Sequence, residues 1–211
     1  MADKILWFDT ETTGLDPNQN GIVQLAMLMD IDGELAEEAQ FNIQPFGNDL
    51  MLAGLADVAN NPQNISWKEC KDTYADAFTP TGITFSDIAK FIQPSEAINQ
   101  INSFLQKHIS QYDKSDKAYI GGYNAPFDIG FLSKFYEKCG DKYLGSYINW
   151  KQLDVRHMLY MLDFDGIVKL ENYKLETACK HYGIELEAHN PLSDIKATRA
   201  IFYLLREAYN G

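Results

Sequence analysis

An apolar run followed at once by two acids constrains this chain more than any other segment. The run covers residues 5–8, and Asp9 and Glu11 follow it. Such a continuous apolar run predicts a central strand that is buried on both faces. Side chains two positions apart on a strand share a face, which places the two carboxylates about 7 Å apart. Buried carboxylates are costly unless a cation lies between them, so the other segments decide between a binding site and an ordinary solvated strand end.

Length and composition predict one globular domain, residues 1–211. A chain of this length can bury a core large enough to be stable without disulfide or metal cross-links. A hydrophobic content of 45% excludes wholesale disorder. The chain has no apolar window long enough to span a membrane and no basic, then apolar, N-terminal signal, so we predict neither a membrane span nor a secretory signal. Cys70, Cys139 and Cys179 form no C-x-x-C pair, which suits inert core residues in a reducing cytoplasm.

The net charge of −12 argues against a long groove for duplex DNA. Nonspecific affinity for a duplex comes mainly from Lys and Arg side chains that contact phosphates. The charge does not exclude a site that grips a few nucleotides, because bound cations can supply the positive charge there.

Three strands with short connections follow from the first part of the chain. Residues 22–29 form a second apolar run, and Asp32-Gly33 is a strong hairpin signal. Residues 35–43 alternate more clearly between apolar and polar, which favours a third strand near the edge of the sheet. Together these segments predict an antiparallel meander.

The segment that follows is harder to interpret. Residues 46–80 show no sustained period, and a structureless loop of this length is unusual, so we expect short helices over a site. Trp67, Tyr74 and Phe78 are candidates for stacking on bases, although an apolar cluster beneath a lid is the preferred interpretation.

A third candidate acid lies at a helix start in the middle of the chain. Residues 119–122 predict a strand with a glycine-rich exit, and Asn124 and Pro126 suit the cap and first turn of a helix that ends near Gly140. Asp128 then falls in the first turn, where an acid is also common for dipole reasons alone. Further elements are predicted as helices over 95–109, 154–162 and 170–182 and a strand over 148–153, with Asp154 as a helix cap rather than a catalytic residue.

The last helix repeats this arrangement. Asn190 can cap it and Pro191 is favoured at its first position. Asp194 therefore falls in the first turn, and His189 lies on the preceding loop. Such a start holds an acid rigidly and leaves an imidazole some freedom.

If these three elements pack together, Asp9, Glu11, Asp128 and Asp194 converge. Buried carboxylates repel one another unless a cation balances their negative charge. Ligand sets made of oxygen atoms select hard cations, so Mg²⁺ or Mn²⁺ is the expected cation. Two such ions about 4 Å apart can stabilise the attacking and leaving oxygens of a phosphoryl displacement. A histidine side chain titrates near neutral pH and is suited to activate the water.

Three segments together resemble the exonuclease motifs of the DEDDh-type 3′–5′ exonucleases, the superfamily of the proofreading subunit of bacterial DNA polymerase III and of ribonuclease T. The segments are residues 8–15 (FDTETTGL), residues 122–128 (GYNAPFD) and the pair His189 and Asp194. They occur in the family's order and span nearly the whole chain. The resemblance implies an α/β, ribonuclease-H-like fold: a mixed five-stranded sheet, its first three strands antiparallel, flanked by helices.

The resemblance also implies roles for the five polar residues. Asp9, Glu11 and Asp194 would hold the divalent ion next to the attacking water, and Asp9 and Asp128 would hold the ion at the leaving 3′ oxygen. His189 would take the proton of the water. The candidate substrate-binding residues come from the same motifs and from a Gly-Ile-Thr segment: Thr12, Thr13, Gly14, Leu15, Ile83, Asn124 and Phe127.

The implied activity is metal-dependent hydrolysis of terminal phosphodiesters from the 3′ end of single-stranded DNA, releasing nucleoside 5′-monophosphates. The alternatives are an exoribonuclease that trims RNA 3′ ends, a polymerase-associated proofreading exonuclease and a catalytically silent binding module. DNA is favoured over RNA, and no membrane partner is expected. Two features depart from the family pattern. The long segment at 47–80 predicts an insertion, and the end of the chain soon after its last helix predicts a freestanding nuclease. Whether a polymerase or a second copy of the chain is a partner stays open.

Overall fold

The computed structural model describes residues 3–46, 81–83 and 85–210. Its centre is one five-stranded sheet in the order β3-β2-β1-β4-β5. The strands are β1 (Lys4–Thr12), β2 (Ile22–Ile31), β3 (Glu34–Asn42), β4 (Ala118–Gly122) and β5 (Ile148–Asp154). The predicted mixed five-stranded sheet is confirmed.

The strand directions also agree with the prediction. β1, β2 and β3 form the antiparallel meander, whereas β4 runs parallel to β1 and β5 runs parallel to β4. Asp32 and Gly33 both have positive φ, 54° and 89°, as the tight turn of a two-residue hairpin requires. β3 lies at the edge of the sheet, as its alternating apolar and polar residues predicted.

Helices cover both faces of this sheet. Within the described residues they are α1 (Phe85–Ile88), α2 (Pro94–His108), α3 (Ala125–Lys138), α4 (Leu144–Tyr147), α5 (Val155–Phe164), α6 (Leu175–Tyr182) and α7 (Pro191–Asn210). Leu6 and Phe8 pack against the layer that contains α2 and α3, and Ile5 and Trp7 pack against the layer that contains α5, α6 and α7. β1 is therefore buried on both faces, as its continuous apolar run predicted.

Close packing explains the glycine-rich exit of β4. Gly121 pairs with Trp7 across the parallel strands, and a Cβ atom at Gly121 would lie 2.2 Å from the Trp7 ring. The ring is fully buried and also meets Phe202 of α7 at a centroid distance of 4.9 Å. A larger residue at this position would displace the strand that leads to Asn124 and Asp128.

The largest difference from a predicted helix boundary is at the start of α6. The last but one helix was predicted over 170–182, but α6 begins at Leu175. Asn172 explains the difference, because its Oδ1 accepts hydrogen bonds from the Lys174 amide (3.0 Å) and the Thr177 hydroxyl (2.8 Å). Such local bonds compete with the helical pattern and hold the preceding residues outside it.

Some predictions fall on residues outside the described ranges. They are the insertion at 47–80, the three aromatic residues Trp67, Tyr74 and Phe78, and Cys70. Of the other two cysteines, Cys179 is buried and Cys139 is partly buried. Burial raises the pKa of both thiols to about 11, which keeps them protonated and agrees with an unreactive role. In the ranges that are described, the helices are all too short or too polar to cross a lipid bilayer.

Candidate active site

Three carboxylates converge where β1 ends. Asp9 and Glu11 follow Trp7 at alternate positions, so all three side chains point to the α7 face of the sheet. α7 crosses that face and brings Asp194 from its first turn. One oxygen from each of Asp9, Glu11 and Asp194 lies within 4.8 Å of the others. The convergence predicted for these three acids is therefore observed.

In the described part of the chain, one carboxylate oxygen of Asp194 accepts a hydrogen bond and the other has no hydrogen-bond partner. Its Oδ2 accepts a hydrogen bond from the His189 amide at 3.3 Å. Its Oδ1 is buried and has no hydrogen-bond partner. A buried carboxylate oxygen without a donor is costly, and a cation between the three acids would remove that cost.

Asp128 is the most deeply buried of the four acids and is bound to the backbone of β1. Its side chain is 3% exposed, and its Oδ1 accepts hydrogen bonds from the amide (3.0 Å) and hydroxyl (2.6 Å) of Thr10. Thr10 lies between Asp9 and Glu11 on the strand. Asp128 is outside the group of three oxygens, yet its charge is close enough to raise the pKa of Asp9.

All four acids titrate above their ordinary range. Burial, followed by the charges of Asp128, Asp194 and Glu11, raises the pKa of Asp9 well above its usual value. Burial and the neighbouring carboxylates raise the pKa of Glu11 to about 8. Burial is also the main cause that raises the pKa of Asp128 to about 7 and of Asp194 to about 6. The cluster therefore resists holding four negative charges together in the absence of a cation.

These observations fit a divalent metal ion. The donors are carboxylate oxygens, which suit hard cations such as Mg²⁺ and Mn²⁺. The unpartnered Asp194 oxygen and the raised pKa values are both properties that a bound cation would reverse. The acidic cluster can thus hold a metal; the number and identity of the ions belong to the proposal below.

We expect the metal-free protein to lose stability as these acids ionise. Each raised pKa means that the folded state binds more protons than the unfolded chain, so stability falls as pH rises from about 4 towards about 8. Excess Mn²⁺ should therefore raise the melting temperature more at pH 8 than at pH 5. Thermal unfolding in EDTA and in Mn²⁺ at the two pH values measures the difference.

A matched pair of variants makes this test specific. Asp9→Asn should shrink the Mn²⁺-dependent shift at pH 8. Glu96→Gln changes the same charge in the first turn of α2, where the side chain is exposed, and should keep the wild-type shift. Equal Mn²⁺ shifts at both pH values in the wild-type protein would contradict the metal assignment.

His189 lies on the loop immediately before α7. Its backbone is left-handed, with φ of 64°, and the residue is exposed. The Asn190 side chain caps the helix by accepting hydrogen bonds from the amides of Leu192 (3.2 Å) and Ser193 (3.3 Å), as predicted. A polar cavity of about 190 Å³ borders His189 and Gln24, the residue that pairs with Glu11 across β1 and β2. The loop therefore places the imidazole near the acids without burying it.

Several known proteins resemble this chain in sequence, although no family model matches it. A PolC-type DNA polymerase III of Halalkalibacterium halodurans is 26% identical over 94% of this chain and 11% of its own length. An oligoribonuclease of Cutibacterium acnes is 25% identical over 72% of this chain and 63% of its own. A ribonuclease T of Shewanella frigidimarina is 25% identical over 93% of this chain and 79% of its own. The chain thus spans about a tenth of the polymerase and less than two thirds of the oligoribonuclease.

Solved structures of exonuclease I share the fold. The zinc-bound complex of E. coli exonuclease I with single-stranded DNA matches with a TM-score of 0.72 and 19% identity, covering 100% of this chain and 42% of the exonuclease chain. Its complex with a dA16 oligonucleotide matches with a TM-score of 0.67 and 19% identity, covering 97% and 41%. The resemblance to the DEDDh-type 3′–5′ exonucleases is confirmed. The ribonuclease-H-like fold expected from that resemblance is also confirmed.

The first exonuclease motif continues into a loop that its own residues hold together. The Thr12 hydroxyl donates to the Gly14 carbonyl at 2.7 Å, and the Thr13 hydroxyl, almost fully buried, accepts from the Gly21 amide at 3.0 Å. A Cβ atom at Gly14 would lie 2.6 Å from the Asn20 side chain. Leu15 is 84% exposed at the tip of this loop. Of the four predicted substrate contacts in this motif, Leu15 is thus the most accessible.

The second motif contains a correction. Asn124 was predicted to cap α3 with its side chain, but it makes no side-chain cap bond and adopts a left-handed conformation, with φ of 66°. Its Oδ1 instead accepts a hydrogen bond from Arg156. Asp154 takes over the capping, because it accepts from the amides of Asn124 (3.3 Å) and Ala125 (2.9 Å) as well as from His157 in its own helix (3.2 Å). The prediction that Asp154 caps a helix is confirmed.

The two remaining substrate candidates lie at intermediate depth. Phe127 is partly buried and packs against Phe131 with a centroid distance of 4.9 Å. Ile83 is partly exposed, and Thr84, which completes its segment, lies outside the described residues. Their contact with a nucleotide stays a prediction. Arg156, which binds Asn124, was not predicted, because nothing in the local sequence shows that α5 starts beside α3.

Proposed function

We propose that this protein is a metal-dependent 3′–5′ exonuclease that hydrolyses the terminal phosphodiester of single-stranded DNA and releases nucleoside 5′-monophosphates. The observation that carries the proposal is the convergence of Asp9, Glu11 and Asp194 around a buried, unpartnered carboxylate oxygen. The confirmed resemblance supports the reaction class, since ribonuclease T, oligoribonuclease and exonuclease I are all among the similar proteins.

We assign two divalent ions, Mg²⁺ or Mn²⁺, to the acids. Asp9, Glu11 and Asp194 would hold one ion, and Asp9 with Asp128 would hold the other. When bound, such ions stabilise negative charge on the attacking and leaving oxygens of an in-line displacement. Thr10 keeps Asp128 in place through two hydrogen bonds to one carboxylate oxygen, which leaves the other oxygen for a ligand role.

His189 is the proposed general base. Its amide donates to Asp194 and so anchors the loop, and the residue is exposed, so a water molecule can reach the ring. A neutral imidazole can take the proton of the attacking water and later release it to solvent. Of the five assigned residues, the four acids would thus bind the metal ions and His189 would transfer the proton.

His189→Ala should lower turnover on single-stranded DNA at neutral pH by about 100-fold, the scale of lost general-base catalysis. Part of the loss should return as pH rises, because hydroxide then replaces the base. Initial rates of oligonucleotide shortening between pH 7 and pH 9 measure both effects. His181→Ala removes an exposed histidine from α6 and should retain the wild-type pH profile. An unchanged rate for His189→Ala at neutral pH would refute the assignment.

The reaction class is tested with 5′-labelled single-stranded DNA and RNA oligonucleotides of the same sequence. We expect a ladder that shortens from the 3′ end with Mg²⁺ or Mn²⁺ and disappears with EDTA. Absence of a ladder on both substrates, with active control nucleases, would overturn the proposal. The faster substrate then decides between DNA and RNA.

RNA is the second candidate substrate. It is favoured by the ribonuclease T and oligoribonuclease relatives, whereas DNA is favoured by exonuclease I, whose solved complexes contain single-stranded DNA. The choice depends on the shape of the pocket around a 2′-hydroxyl rather than on the acids, so both substrates share one mechanism. The insertion at 47–80, the cytoplasmic location and the question of a polymerase or homodimer partner stay predictions that these tests do not address.

A further inference from the structure

Arg156 is a cation at the edge of the proposed active site that has no acidic partner among the residues the structure describes. It lies in the first turn of α5, where one terminal nitrogen of its guanidinium donates to Asn124 Oδ1. The guanidinium also lies 5.9 Å from the centre of the Tyr160 ring. Across the described ranges, no carboxylate lies within ion-pair distance of it.

The nearest acid in sequence is fully engaged elsewhere. Both oxygens of Asp154 are used by the amides at the start of α3 and by the amide and imidazole of His157. Arg156 Nε is buried and has no hydrogen-bond partner. A buried donor on a charged group normally finds an acceptor, so this N–H is the part of the side chain that still lacks one.

The position of this group relates it to the acids. Asn124 lies two residues after the end of β4 and immediately before α3, and Asp128 lies in the first turn of that helix. β4 and β5 are parallel neighbours, so Arg156 stands beside the same carboxyl-terminal sheet edge that carries the metal-binding acids. The chain has a net charge of −12, so a cation that lacks an acidic partner in the described part of the chain suits a strand of phosphates.

We propose that Arg156 binds a non-scissile phosphate of the nucleic-acid strand, with Asn124 as the positioning residue that holds its guanidinium. A phosphate oxygen would accept from a terminal N–H of the guanidinium, the charge-assisted contact for which arginine is suited. This inference rests on the proposed exonuclease function and adds a specific substrate contact to it. It also gives a role to Asn124, whose left-handed backbone aims the side chain at Arg156 rather than at its own helix.

The test measures binding independently of turnover. Fluorescence anisotropy in EDTA gives the Kd of a 5′-labelled oligothymidylate for the wild-type protein and for Arg156→Gln at several salt concentrations. We expect Kd to rise about 10-fold in the variant, the scale of one lost charge-assisted hydrogen bond. The slope of log Kd against log salt should fall by about 0.7, as for one phosphate contact on a single strand.

Two further variants separate binding from folding. Arg206→Gln removes the same charge from an exposed position near the end of α7 and should keep the wild-type Kd. Asn124→Gly suits the left-handed backbone, so it should fold and still weaken binding, because the guanidinium loses its support. Melting temperatures of all variants identify any loss that comes from unfolding.

A second substrate distinguishes this inference from the proposed function. The p-nitrophenyl ester of thymidine 5′-monophosphate has no phosphate beyond the reacting one, so Arg156→Gln should hydrolyse it at the wild-type rate. An unchanged oligothymidylate Kd in folded Arg156→Gln would overturn the inference, even if the enzyme is active. Failure of the wild-type protein to hydrolyse either substrate would overturn the exonuclease proposal instead, while the Kd comparison would still decide whether Arg156 binds phosphate.

Discussion

Asp194→Asn is expected to lower turnover on single-stranded DNA at least about 1000-fold, which corresponds to about 4 kcal/mol of lost transition-state stabilisation. The substitution keeps the size of the side chain but removes the charge from the oxygen that lacks a partner. It should not unfold the protein. Burial raises the pKa of Asp194 to about 6, so the ionised carboxylate is unfavourable at neutral pH and its removal should leave metal-free stability equal or higher.

The measurement combines rates of oligonucleotide shortening with urea unfolding in EDTA. Glu96→Gln provides the control, because it changes the same charge in the first turn of α2 on the opposite layer of the fold. It should keep wild-type activity. Wild-type turnover in Asp194→Asn would show that the acidic cluster is not the catalytic metal site, and a large loss of stability would show that Asp194 has a structural role instead.

The position of each acid within its own strand or helix could be predicted from the neighbouring residues in the sequence. The period of two along β1 puts Asp9 and Glu11 on one face, and the Asn190-Pro191 start of α7 fixes Asp194 in a first turn. These rules act over a few residues, so they need no knowledge of the tertiary structure. That Asp194 shares a site with Asp9 and Glu11 came only from the family resemblance, and the structure brings these three acids together.

The remaining features depend on contacts between segments that are far apart in sequence. Asp154 lies 29 residues after Ala125 yet caps its helix, and this bond is what frees Asn124 to contact Arg156. The bond between Asp128 and Thr10 joins residues 118 positions apart. No periodicity or turn signal encodes such pairings, because each depends on which faces of the sheet and helices meet after folding.

A buried network anchored on Asp30 is another contact of this long-range kind. Asp30 of β2 is completely buried and accepts hydrogen bonds from Trp7 Nε1 (2.9 Å) and the Tyr203 hydroxyl (2.8 Å). Arg199 of α7 donates Nε to both carboxylate oxygens at 2.8 Å and reaches the Gly33 carbonyl at 3.0 Å. The network ties α7, and with it Asp194, to the sheet.

Arg199→Met should therefore lower the free energy of unfolding by about 3–5 kcal/mol, because it leaves a buried carboxylate without its counter-charge. Urea unfolding monitored by tryptophan fluorescence measures the loss. Arg206→Met removes the same charge from an exposed position in the same helix and should change stability by less than about 0.5 kcal/mol.

The double variant Asp30→Leu/Arg199→Met identifies the cause of that loss. Removing both charges should recover part of the stability lost in Arg199→Met, since the main cost of the single substitution is the abandoned charge rather than the missing contact. Recovery would therefore show that the ion pair adds little net stability and that the loss in Arg199→Met comes from the unpaired buried charge. A double variant at least as unstable as the sum of the single variants would show instead that Asp30 stabilises the fold through its bonds to Trp7 and Tyr203.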